Sequence, residues 1–266
     1  MSASMVSSDK IVDVKSSDDQ KDEEPDPPRN FTQQQLAYFD GTKDTSTKLK
    51  EGQTAPDKPV YLSVNGIVFD VSEGRNFYGP DGPYEKFAGH ECGVALAKMS
   101  FDDQLLDDLE GCSNLNFGER TELEGWIDKF TNYRCYPIKG RLIPDSQMPD
   151  KDRIIGAEEL AKYNGTKDVE CPEGYASAPI YIGAGDKVFD VSFGGGSFYG
   201  EGGPYNKFAG KDATRALAKM SLDDEDLQTA DVSDLTEKQI KTLNDWIKTF
   251  GERKKYPVVG RLDKKK

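Results

Sequence analysis

Two tyrosines six residues apart, bracketed by glycines and a proline, occur twice in this chain. The stretch NFYGPDGPYEKFAG (residues 76–89) carries Tyr78 and Tyr84, and SFYGEGGPYNKFAG (residues 197–210) carries Tyr199 and Tyr205. A phenol combines a large apolar ring with one hydroxyl that donates or accepts. Such residues serve either as amphipathic core with satisfied hydroxyls or as polar contacts to a bound ligand. Gly79 and Gly82 let the backbone come close to a ligand, and Pro83 suits the first turn of a helix, which sets the direction of Tyr84. Residue types alone leave both uses open.

Other chemistries are poorly provided for. The chain has one histidine, His90, and four cysteines, Cys92, Cys112, Cys135 and Cys171, none in a C-x-x-C pair. A zinc site of the usual ligand types is not expected, and free thiols in a reducing compartment are. His90 stands in FAGH where the second copy has Lys211 in FAGK, so it reads as an exposed basic position. No nucleophile–base set is present, so no hydrolase and no enzyme activity is expected. A net charge of −13 argues against nucleic acid as a partner and against adsorption to anionic lipid. No stretch approaches the roughly 20 apolar residues of a spanning helix. The N-terminus lacks the apolar region of a secretory signal. The sequence on its own reads as soluble and cytoplasmic.

The tyrosine loops belong to a longer internal repeat. FDGTKD (39–44) returns as YNGTKD (163–168), PVYLSVNGIVFDV (59–71) as PIYIGAGDKVFDV (179–191), and ALAKMS (95–100) as ALAKMS (216–221). Trp126 and Phe130 match Trp246 and Phe250; Tyr136-Pro137 and Gly140-Arg141-Leu142 match Tyr256-Pro257 and Gly260-Arg261-Leu262. The offset stays at 120 or 121 across the core. Units of about 110 residues are too long for a solenoid repeat, so these are two copies of a globular domain.

The elements that position the loops are short. Thr32 with Gln35 forms a capping box for a helix carrying Leu36 and Phe39 and ending at Gly41, matched in copy 2 by a helix over 157–163. Strands are predicted over 60–64 and 68–71 around an Asn65-Gly66 turn, with Gly185-Asp186 at the matching turn. After the loop come short helices from Pro83 and over 94–99. A longer helix over 121–131 is buried through Leu123, Trp126, Ile127 and Phe130. Its counterpart, capped by Thr236 and Gln239, buries Ile240, Leu243, Trp246, Ile247 and Phe250. Both tryptophans are expected in the core. Asp102-Asp103 and Asp223-Asp224 are expected to start helices, Asp70 and Asp190 to serve turns or caps, and a last strand to run over 136–142. The fold class is α+β, each domain a small sheet with short helices. The organisation is a disordered acidic tail over 1–30, domain 1 over 31–143, a linker over 144–153, domain 2 over 154–263 and a basic, solvated tail over 264–266.

The ordered set VFDV, FYG, GPY and KFAG resembles the membrane-associated progesterone receptor family, a branch of the cytochrome b5 fold. The ALAKMS region and KYPVVG (255–260) are similar to neudesin, the secreted branch. The resemblance spans about 220 of the 266 residues and occurs twice. It implies a haem- and steroid-binding domain in which the GPY tyrosine, here Tyr84 and Tyr205, is the axial ligand of the haem iron. The FYG tyrosine, here Tyr78 and Tyr199, would lie beside the haem. A Lys-Tyr pair in the closing segment would contact it as well: Lys255-Tyr256 in copy 2, but Cys135-Tyr136 in copy 1. Since a cysteine cannot pair with a propionate as lysine does, copy 1 is expected to hold haem more weakly. Tyrosinate is an established haem ligand type, favoured by ferric iron. Cytochrome b5 itself uses two histidines, and neither copy has them.

The resemblance further implies a non-catalytic protein that carries, buffers or senses haem or assists haem proteins such as cytochromes P450. It also implies placement at the endoplasmic reticulum and endomembranes, which this chain would reach peripherally. Haem-dependent self-association, through the exposed face of a five-coordinate haem, is a further expectation. The competing function is a haem-independent interaction or steroid- and lipid-binding adaptor. Copy 2 departs by one extra residue in Gly194-Gly195-Gly196, and both copies carry insertions, over 45–58 and 169–178.

Overall fold

The computed structural model describes residues 28–45, 53–166 and 168–263. The acidic tail lies outside the described residues up to residue 27, as does the basic tail over 264–266.

Domain 1 opens with strand β1 (Arg29–Phe31), so Arg29 and Asn30 belong to the sheet and not to the tail. Helix α1 (Gln33–Leu36) follows, started by the expected capping box: the Gln35 amide donates to Thr32 Oγ1 at 3.2 Å and the Thr32 amide to Gln35 Oε1 at 2.9 Å. Strands β2 (Tyr61–Val64) and β3 (Ile67–Asp70) form the Asn65-Gly66 hairpin, both turn residues at positive φ. Then come α2 (Arg75–Tyr78), α3 (Gly93–Ala97), α4 (Phe117–Asp128) and β4 (Ile138–Leu142). The sheet order is β1-β4-β3-β2, with β1 parallel to β4 and the other pairs antiparallel.

Domain 2 repeats this with β5 (Ile154–Ile155), α5 (Ala157–Leu160), β6 (Tyr181–Ala184), β7 (Lys187–Asp190), α6 (Ser192–Tyr199), β8 (Lys211–Asp212), α7 (Thr214–Lys219), α8 (Asp224–Gln228), α9 (Glu237–Lys248) and β9 (Val258–Leu262). Its sheet runs β5-β9-β7-β6-β8. In domain 1 the place of β8 is taken by a single bridge, Ser63 to Glu91.

Side chains alternate across each sheet. In domain 1, Leu62, Val64 and Phe69 face the helices with Phe87, Val94, Leu96, Leu123 and Phe130. Tyr61 and Val68 point the other way, onto Phe31, Leu36 and Leu142. Domain 2 divides likewise, with Ile182, Phe189, Leu217, Leu243 and Phe250 on the helix face and Ile155, Leu160, Tyr181 and Val188 opposite. Full burial of each large apolar side chain is worth about 2–3 kcal/mol, so both faces contribute to holding the sheet.

Several sequence expectations shift. The long helix of domain 1 begins at Phe117 and not at 121, because Asn116 and Glu119 form a capping box. Both long helices continue into a π turn, Lys129–Tyr133 and Thr249–Arg253. The helix expected from Pro83 is a single 3-10 turn, Glu85–Phe87, and the last strand pairs only from Ile138. Trp126 and Trp246 are only partly buried, at the rim of the core, where Lys129 Nζ sits 4.2 Å from the Trp126 ring. Asp102 does cap a turn, its carboxylate accepting from the Gln104 amide at 3.0 Å, and α8 starts at Asp224. Asp70 and Asp190 accept from the Ser72 and Ser192 amides at 3.0 and 2.9 Å, the turn role expected of them.

Candidate functional site

The loop after β3 is closed by its own backbone. Gly79 N donates to Arg75 O at 2.8 Å, Gly82 N to Gly79 O at 3.0 Å and Tyr84 N back to Phe77 O at 2.8 Å. In domain 2, Gly200, Gly203 and Tyr205 make the same bonds to Gly196, Gly200 and Phe198, at 2.8, 3.0 and 2.9 Å. A Cβ on Gly82 would fall 2.5 Å from Phe77 O, and one on Gly203 2.4 Å from Phe198 O. Only glycine permits this closure. It leaves the two GPY tyrosines in one conformation, φ −117° and ψ 21° for Tyr84, φ −114° and ψ 20° for Tyr205.

The closure brings the tyrosines together. The Tyr78 and Tyr84 rings lie 5.8 Å apart, and Tyr199 and Tyr205 lie 6.1 Å apart. Tyr84 stacks on Phe87 at 5.9 Å and Tyr205 on Phe208 at 5.8 Å. A third tyrosine arrives from the closing segment. After the π turn, Cys135 and Lys255 adopt positive φ, 51° and 55°, and this left-handed step turns Tyr136 and Tyr256 inward. Each is tied to the long helix, Tyr136 N to Phe130 O at 3.0 Å and Tyr256 N to Phe250 O at 2.9 Å. Tyr78 and Tyr136 meet edge-on at 6.4 Å. A Cβ on Gly74 would stand 2.5 Å from the Tyr136 hydroxyl, and one on Gly195 3.2 Å from the Tyr256 hydroxyl. The three-tyrosine cradle of domain 1 thus depends on a bare backbone at Gly74, and that of domain 2 packs tightly over Gly195.

The tyrosines divide by environment. Tyr78, Tyr136, Tyr199 and Tyr256 are buried, whereas Tyr205 is 37% exposed and Tyr84 is half-buried. Burial holds the Tyr78 and Tyr199 hydroxyls well above the usual phenol range and pushes Tyr256 up to about 12, so these remain neutral donors at neutral pH. Tyr136 is raised for the same reason, opposed by the nearby Arg134 guanidinium. An open phenol beside a neutral buried one can give an anionic oxygen to a metal while its neighbour donates a hydrogen bond. Each cradle is tight at the glycine and most exposed at the GPY ring.

Lys255 and Cys135 are both exposed, and the Cys135 thiol lies 3.4 Å from Asn132 O. A cation one residue earlier was missed from sequence. Arg134 lies 6.0 Å from the Phe77 ring and Lys254 lies 6.0 Å from the Phe198 ring, so both domains keep a positive charge at the same edge of the loop. The RCY and KKY tripeptides carry that signal once they are aligned by their tyrosines. His90 is away from the tyrosines, paired to Asp107 at 2.8 Å, and Asp107 raises its pKa. All four cysteines are free, Cys92 and Cys112 buried. Among the described residues no group of three or more His, Cys, Asp or Glu side chains could hold a metal ion, and no helix is long and apolar enough to cross a membrane.

Comparison with known proteins agrees with this architecture. The family described as cytochrome b5-like heme/steroid binding domain matches residues 45–131 and 157–263, together more than half the chain. The first match stops short of Cys135-Tyr136. "Probable steroid-binding protein 3" of Arabidopsis thaliana is 52% identical over 106 residues, covering 40% of this chain and 94% of that protein. "Cytochrome P450 regulator dap1" of Schizosaccharomyces pombe is 38% identical over 125 residues, 45% of this chain and 74% of its own length. Human "Membrane-associated progesterone receptor component 2" is 38% identical over 124 residues, 46% of this chain and 49% of its own. A solved Arabidopsis thaliana protein with a cytochrome b5 like fold is 47% identical, covering 44% of this chain and 95% of that one, with a TM-score of 0.35. The chain belongs to the cytochrome b5-like heme/steroid binding domain family, as a tandem two-domain member of its membrane-associated progesterone receptor branch.

Proposed function

We propose that the chain is a non-catalytic haem-binding protein in which Tyr84 and Tyr205 give their phenolate oxygens to the iron. The observation that carries this is the pairing, in each domain, of an accessible GPY tyrosine with a buried FYG tyrosine held neutral. Bound haem would supply a ferric iron that stabilises the phenolate. Tyr78 and Tyr199 would flank it as donors. Tyr136 and Tyr256 would border the cradle, and Lys255 with Lys254 would face the propionates in domain 2. Arg134 offers domain 1 a cation where Cys135 has replaced the lysine, which narrows the difference between the two sites.

The likeness to a protein named a cytochrome P450 regulator supports a role in assisting other haem proteins. Relatives named membrane-associated support peripheral attachment to endomembranes. Haem-dependent association, through an open haem face in each domain, belongs to the same proposal. Sedimentation that does not change on haem addition would rule that part out.

The test is titration of the chain with ferric haem, followed in the visible spectrum, alongside Tyr84→Phe and Tyr205→Phe. A saturable tyrosinate-type spectrum is expected from the parent, each substitution removing one equivalent. No specific spectrum, or variants that bind as the parent does, would discard tyrosine ligation in favour of a haem-independent interaction module.

A further inference from the structure

Between the aspartate that ends the hairpin and the FYG triplet, domain 2 has one residue more than domain 1: DVSFGGGSF (190–198) against DVSEGRNF (70–77). The surplus changes what the loop is fastened to. In domain 1 the loop is anchored within its own domain, Arg75 donating to Lys58 O at 3.0 Å and to Gly41 O. In domain 2 the arginine position is Gly196, and that anchor is gone. Instead Phe193 leaves the helical path (φ −74°, ψ 118°), and Gly194 returns the chain with φ 64°. The Phe193 ring meets Phe31 at 5.2 Å and Phe39 at 6.0 Å, both edge-on and both in domain 1. It packs on the domain 1 cluster of Phe31, Leu36, Tyr61, Val68 and Leu142, and on neither cluster of domain 2.

A second tie lies beside it. The buried Asn30 side chain of domain 1 donates to Ser177 O at 2.7 Å and accepts from Ala176 N at 2.6 Å. The Phe193 segment runs directly into Tyr199, and Tyr205 is bonded to Phe198 O at 2.9 Å. Three consecutive glycines give this segment little stiffness of its own. Within domain 2 the Ser192 hydroxyl accepts from Ile180 N at 2.8 Å, and the Asn206 side-chain amide donates to Tyr199 O and Gly200 O at 3.4 and 3.1 Å. These bonds fasten the two ends of the segment, and the glycines between them have the Phe193 seat as their support.

We infer that domain 1 is a structural part of the domain 2 site: Phe193, seated on Phe31 and Phe39, is a positioning residue for the Ser192–Tyr199 loop and through it for Tyr205. The ligand-binding arm of this inference rests on the haem function proposed above; the ordering of the loop does not.

The experiment uses the full chain with Phe193→Ala and Phe193→Leu. Amide hydrogen exchange over residues 194–205 is read first, then ferric haem titration in a Tyr84→Phe background, which isolates Tyr205. Phe193→Ala should speed exchange in this loop about tenfold and weaken haem binding about tenfold, the equivalent of about 1.4 kcal/mol. Phe193→Leu, which refills most of the seat, should recover both. Binding at Tyr84, read in a Tyr205→Phe background, should not change. Parent-like exchange in Phe193→Ala overturns the inference, and so does faster exchange with unchanged haem affinity. If the parent binds no haem, the haem function fails while exchange still decides the seating: acceleration confined to this loop supports it, and none refutes it.

Discussion

Replacing Glu91 should cost domain 1 a large part of its stability. The side chain is fully buried. Its Oε1 accepts from the Asn65 and Gly93 amides at 2.9 and 2.8 Å, and its Oε2 from the Gly66 amide at 3.0 Å and from the Ser63 hydroxyl. One carboxylate thus fastens the β2–β3 turn to the start of α3. Glu91→Ala leaves the buried Gly66 and Gly93 amides unpaired, each costing about 1–3 kcal/mol, and frees the part-buried Asn65 amide. Relief of the carboxylate's own desolvation offsets part of that, and the net loss should be about 3 kcal/mol, a fall in Tm of roughly 12–20 °C for a domain of this size. Glu91→Gln keeps one accepting oxygen and should cost less, about 1–2 kcal/mol. Burial raises the Glu91 pKa above its ordinary 4.5. The folded state therefore holds the proton more tightly than the unfolded state. The associated stability is fully present below pH 4.5 and is lost as pH rises through the raised value. Glu91→Gln should flatten that slope. The assay is urea unfolding followed by Trp126 fluorescence in a Trp246→Phe background, since each domain has one tryptophan. A loss under about 1 kcal/mol for Glu91→Ala, against that sum of orphaned donors, would refute the assignment of Glu91 as the fastening of the turn. An unchanged pH slope in Glu91→Gln would refute its assignment as the titrating group.

Asp190 should give domain 2 a pH dependence of the same sign. Burial beside the seam with domain 1 raises it to about 6, so stability should fall as pH rises from about 4 to about 6, and Asp190→Asn should remove a slope worth up to about 3 kcal/mol, read by unfolding in a Trp126→Phe background. Gly74→Ala places a methyl 2.5 Å from the Tyr136 hydroxyl and should weaken haem binding at Tyr84 at least tenfold by titration in a Tyr205→Phe background. Gly125→Ala, in α4 with open space at its Cβ, should stabilise domain 1 by about 0.5–1 kcal/mol, read by unfolding in the Trp246→Phe background.

The repeat, the α+β class, the hairpin turns and two of the capping boxes were legible in the sequence because each rests on neighbouring residues. Asn65-Gly66 needs only its own φ freedom, and Thr236 needs only Gln239 three positions on. The tyrosines were legible too, since their loop is closed by local backbone bonds that glycine spacing announces. Their division into buried and accessible members was not, because it depends on Phe130 and Phe250 arriving from distant helices. Glu91 in GHEC looks like any solvated acid until the fold surrounds it with amides from the hairpin and α3. Phe193 shows the same limit at longer range. The sequence by itself determined the internal repeat and which tyrosines recur in it. Tertiary structure alone decided which charges are buried and which domain supports the other's loop, because desolvation and seating are properties of what surrounds a residue from far along the chain.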